Sequence, residues 1–154
     1  MGFIKAKTYL RLLLGIVFLV LFVLIFAIPS HAELSVESYC QLVIKSAQQE
    51  IENLNELIAL AQQYSSDNSE AFLEQEAIKQ EKFDKEKKSL FNSFDTTAEE
   101  YVTFIGENKE TVEKYLNANP EIKQNIDGLS NQVNTLLDQY ESLKEGIINA
   151  PPFE

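Results

Sequence analysis

Residues 119–152 read NPEIKQNIDGLSNQVNTLLDQYESLKEGIINAPP, and this stretch decides the fold. Its apolar positions Ile122, Ile126, Leu129, Val133, Leu136, Tyr140, Leu143 and Ile147 step by 4, 3, 4, 3, 4, 3 and 4 residues. An α-helix turns every 3.6 residues, so this spacing lines one helical face, whereas a strand would alternate every two. Asn119 stands where a side chain can cap the free amides. Pro120 suits the first helical position, and Glu121 complements the positive helix end. Ala150-Pro151-Pro152 stops the run.

The same period recurs upstream. Val36, Cys40, Val43, Ala47, Ile51, Leu54, Ile58 and Ala61 form a stripe widened by Leu57 and Leu60, predicting a helix over 36–64 with Ser35 as N-cap. Leu34 and Tyr39 take hydrophobic-staple positions around that cap. A polar loop at 65–69 precedes a second helix over 70–92, whose stripe is thinner: Phe72, Leu73, Ala77, Phe83, Leu90, Phe91 and Phe94. A third helix is expected over 97–117, opened by a capping box from Thr96 with Glu99 or Thr97 with Glu100. Gly106 inside it marks a local break or a close contact. The stripe also keeps register through 93–97, so one continuous rod is the alternative to a break there.

The expected fold is all-α: an up-and-down antiparallel bundle of four helices, or three if the second and third are continuous. Its domain layout is a leader at 1–32, the bundle at 33–148 and a tail at 149–154. The seam of the last helix alternates β-branched residues with leucines, as parallel coiled coils do, which allows a homo-oligomer through residues 122–147. The flanking positions carry no complementary charge code, and Leu137 widens the stripe toward a bundle face, so internal packing is the preferred reading.

The leader has the three regions of a secretory signal in order. Lys5, Lys7 and Arg11 precede an unbroken apolar run from Leu12 to Ile28, and Ser30-His31-Ala32 offers cleavage between Ala32 and Glu33. Left uncleaved, the 17-residue run is a minimal membrane anchor. Basic residues flank only its N-terminal side, so either outcome places the rest outside the cytoplasm, in a periplasm, a lumen or at a cell surface.

Three of the 13 basic residues lie in the leader, so residues 33–154 carry 10 basic against 24 acidic residues, a formal charge of −14. Such a chain repels nucleic acid phosphates and anionic headgroups, and no nucleic-acid partner is expected. The one locally basic stretch holds Lys79, Lys82, Lys85, Lys87 and Lys88, read as a solvated helix face or a docking patch. Cys40 is the sole cysteine. It cannot form an internal disulfide, and is read as a small buried residue or a free thiol open to another chain.

Reactive groups are scarce. The only histidine, His31, lies in the leader, which leaves residues 33–154 without an imidazole for proton transfer or metal ligation. No paired cysteines, phosphate loop or nucleotide fingerprint occurs. Carboxylate sets such as Glu50, Glu52, Glu56 or Glu107, Glu110, Glu113 could hold a hard cation only if helices brought them together. The aromatic residues fit core positions better than a pigment or lipid pocket. No catalytic, cofactor or metal residue is assigned. The expected role is non-enzymatic protein–protein interaction, as an extrinsic or accessory subunit of a membrane-associated assembly. The alternative is a chaperone-like or small apolar ligand-binding protein.

Overall fold

A computed structural model describes residues 34–149. The apolar run at 12–28, the cleavage site at Ala32 and Glu33, and the tail beyond 149 lie outside the described residues. The described chain folds into four α-helices: α1 (Val36–Ala61), α2 (Ser69–Asn92), α3 (Ala98–Ala118) and α4 (Pro120–Asn149), with one short 3₁₀ turn at Ser66–Asn68. There is no strand among the described residues.

Local chemistry sets each boundary. Ser35 Oγ accepts from the Ser38 amide at 3.1 Å and caps α1. Leu34 packs beside Tyr39 in one core cluster, as a staple requires. Residues 62–64, expected as helix, tighten instead into three-residue turns, with Gln63 donating to Leu60 O and Tyr64 to Ala61 O.

The second and third helices are separate. Asp95 adopts the left-handed conformation at φ 52, and the Thr96 amide reaches back to Phe91 O at 3.2 Å. That pairing closes a helix end, with aspartate in the place glycine usually takes. The capping box that follows uses Thr97 and Glu100: Thr97 Oγ1 accepts from the Glu100 amide, and Glu100 Oε2 accepts from the Thr97 amide at 2.8 Å. α3 is interrupted at Asn108 (φ −114, ψ 16), two residues past Gly106, and Asn108 Nδ2 donates to Phe104 O at 3.0 Å. Asn119 departs from expectation: its side-chain Nδ2 donates back to Tyr115 O at 2.8 Å, closing α3 instead of capping α4.

The apolar stripes build two clusters. One gathers Leu54, Leu57, Ile58, Leu60 and Ala61 of α1, Phe72 and Phe83 of α2, and Tyr140 and Ile147 of α4. The other gathers Tyr39 and Cys40 with Val112, packed by Tyr101, Phe104, Tyr115, Ile122 and Ile126. Low-numbered residues of α1 therefore meet low-numbered residues of α4, and high meet high. α1 and α4, which share the largest helix–helix interface, run parallel.

Antiparallel order holds between α1 and α2, where Glu56 pairs with Lys79 and Lys45 covers Phe94, two residues past the end of α2. It fails between α1 and α4, because both halves of α3 pack into the cluster at the N-terminal end of α1 and return the chain to that end. A strict up-and-down four-helix order would have set the first and last helices antiparallel. The coiled-coil seam of α4 is spent in these clusters, and Leu137, expected on the bundle face, is 39% exposed. Leu73 and Ala77 of the α2 stripe are exposed as well.

Candidate functional site

Between the two clusters the bundle does not close. Beside the apolar stripe of α1, the line of positions through Leu57 and Leu60 continues toward the N-terminus as Asn53 and Ser46, then Leu42 and Tyr39. Small and polar side chains thus replace two helical turns of core. Ser130 faces this layer from α4 and Lys87 from α2, where close packing would need apolar bulk. The result is a groove of about 470 Å³, open to solvent on one side, with Val43, Ala47, Ile126 and Val133 as its apolar surface. Gln49 and Glu50 complete the lining.

Ser46 and Asn53 of α1 line the groove, and one of them is buried without a partner among the described residues. Ser46 Oγ is buried without a hydrogen bond. Asn53 is only 8% exposed and lines the groove, and its carboxamide is not among the buried groups left unpaired. Buried polar groups are nearly always paired, and leaving one unpaired costs about 1–3 kcal/mol. An apolar cavity with a few convergent polar groups is how binding sites are built.

Two of the five lysines of the basic stretch, Lys79 and Lys82, pair across the bundle, and all but Lys79 are exposed. Lys79 Nζ donates to Glu56 Oε2 at 2.8 Å and Lys82 Nζ to Glu56 Oε1 at 3.2 Å, and these donors hold the Glu56 carboxyl below its ordinary range. Lys85 pairs with Glu81 at 2.7 Å on its own helix. Lys87 lines the groove, and Lys88 is exposed.

Glu76 was not visible as a site residue from the sequence. It is 8% exposed, accepts from the Tyr140 hydroxyl, and accepts from Lys144 Nζ at 2.6 Å. Burial, then the Glu76 carboxylate, pushes the Tyr140 phenol up. Its signal was its register: Phe72, Glu76 and Phe83 share one face of α2, so a carboxylate stood in an apolar position. Ser46 and Asn53 carry the same signal on α1.

Cys40 is free, 2% exposed, and its thiol is pushed up by desolvation. Tyr39 stacks on Tyr101 at 4.9 Å and on Phe104 at 5.1 Å, placing these aromatics in the core. Among the described residues no three acidic, cysteine or histidine side chains gather around a common point for a metal ion, and no helix is long and apolar enough to cross a membrane. No protein family, no curated protein and no solved structure matches the chain.

Proposed function

We propose that the protein is a non-catalytic interaction protein working outside the cytoplasm, as an extrinsic or accessory subunit of a membrane-associated assembly. The observation that carries this is the groove between the two cores, where the Ser46 hydroxyl is buried without a partner among the described residues and Asn53 adds a carboxamide to a lining of apolar side chains. A buried unpaired hydroxyl weakens the isolated fold and gains most when a second molecule pairs it. The acidic exterior and the lack of any histidine after residue 31 support binding over catalysis. The leader supports export.

The test is in-cell cross-linking of the whole chain, followed by identification of captured proteins. One membrane-associated protein recurring across replicates is the expected result. No reproducible partner would remove this reading. A second reading, a chaperone-like or small-ligand carrier, is favoured by one observation: the groove volume falls within the ~300–1,000 Å³ typical of ligand sites. A small molecule retained in native mass spectrometry, or suppression of client aggregation, would support that carrier instead.

A further inference from the structure

Building on the interaction reading, we infer that the groove binds an extended, basic-apolar segment of a partner polypeptide, gripped through its main chain. Three observations converge. The Asn53 carboxamide offers one donor edge and one acceptor, the complement of a backbone amide, and it lines the same groove as the buried, unpaired Ser46 hydroxyl. Val43, Ala47, Ile126 and Val133 give apolar footing for one side of such a segment, as alternate side chains of an extended chain provide.

Length and charge narrow the occupant. From Val43 to Asn53 the groove follows α1 for about 15 Å, the reach of four or five extended residues. A whole helix, about 10 Å wide with its side chains, would be far too thick for this volume. The two helices that form most of the lining, α1 and α4, carry nine acidic residues against three basic ones, so their field favours lysine- or arginine-bearing segments. Lys87 on the α2 side is the one cation lining the groove and works against that preference.

The experiment is selection of a random hexapeptide display library on the protein purified from cells expressing all 154 residues. Enriched peptides are then measured by fluorescence anisotropy. Peptides with alternating apolar residues and at least one lysine or arginine are expected to be enriched. Asn53→Leu should weaken their binding about tenfold while leaving the fold intact by circular dichroism, because it removes the donor and acceptor offered to the segment's main chain. Asn53→Ala gives the same comparison if leucine overfills the site. Lys87→Glu should tighten binding, and N-methylation of the peptide backbone should abolish it.

Failure to enrich any peptide overturns the inference, as does equal binding by wild type and both Asn53 variants. Selection of acidic peptides overturns it too. A small molecule that co-purifies with the wild type and is lost from Asn53→Leu reassigns the groove to that ligand. If in-cell cross-linking captures the same partner with wild type and Asn53→Leu alike, the interaction reading stands and the groove is not its site.

Discussion

Tyr140 and Glu76 lie 64 residues apart in the chain and meet through a hydrogen bond in which the phenol donates to a buried carboxylate. Lys144, one turn further along α4, donates to the same oxygen at 2.6 Å. The contact fastens the first half of α2 to the last third of α4. A carboxylate so far from water depends on both donors, since neither solvent nor another side chain replaces them.

Tyr140→Phe should therefore destabilise the fold by about 1–3 kcal/mol, and Glu76→Leu by a similar amount, since each strands the other's polar group. The double variant should cost less than the sum of the singles, because the phenol and the carboxylate leave the core together and Lys144, one-third exposed, can turn to water. Urea unfolding of the four proteins checks this. Strictly additive losses would mean that the two residues are not coupled.

The two buried phenols set an alkaline limit. Burial pushes Tyr39 upward with a further contribution from Tyr101, and burial pushes Tyr140 upward with a contribution from Glu76. Below the ordinary tyrosine value of 10.0, both the folded and the unfolded chain keep these protons, and their share of stability is fully present. Above it the unfolded chain ionises first, so stability falls as pH rises toward the raised folded values. Helicity should be lost above pH ~10 together with a cooperative rise in tyrosinate absorbance. Tyr39→Phe should move that transition to higher pH. A gradual, non-cooperative tyrosine titration with helicity intact would contradict this.

The helices were legible because their signals are local. The period of α4, the Ser35 cap and the Thr97–Glu100 box each sit within a few residues, and each forms as its spacing predicts. The path between helices was less legible. The parallel pairing of α1 with α4 depends on α3 bending at Asn108 and packing both halves at one end, and no short window of sequence encodes that choice. The groove lay between these cases. Ser46, Asn53 and Glu76 all occupy apolar register, but a polar residue in a stripe tells only that something must pair it. Glu76 found Tyr140 and Lys144 across the bundle, whereas the Ser46 hydroxyl is buried with no partner in the described chain and Asn53 lines the groove.

Cys40 should resist modification in the folded protein. At 2% exposure, and with its thiol pushed up by desolvation, it presents little thiolate to a reagent. Its reaction with a disulfide probe should follow the opening of the aromatic cluster around Tyr39, and should accelerate in urea in step with the loss of helicity. Fast reaction in native buffer would show that α1 opens locally at its N-terminal end.

Glycines within α4 leave room for improvement. A Cβ at Gly128 or at Gly146 would meet nothing within 4 Å, and neither has a positive φ. Each therefore carries the backbone-entropy cost of glycine without using its freedom. Gly128→Ala and Gly146→Ala should each stabilise the protein by about 0.5–1 kcal/mol, additively given their separation along the helix. Thermal melts of the two singles and the double check both the sign and the sum.

Ser46 separates a structural defect from a working feature. Its hydroxyl is buried with no hydrogen bond, and serine is a poorer helix former than alanine, so Ser46→Ala should gain stability on both counts, by about 1 kcal/mol. A chain selected for stability alone would carry alanine there. If the hydroxyl serves a bound segment, the gain in the isolated protein should be offset by weaker binding of the groove's peptides, with Asn53→Leu showing the larger loss because its amide offers both a donor and an acceptor. Stability that rises with no change in any peptide affinity would leave Ser46 as a packing flaw and confine recognition to Asn53.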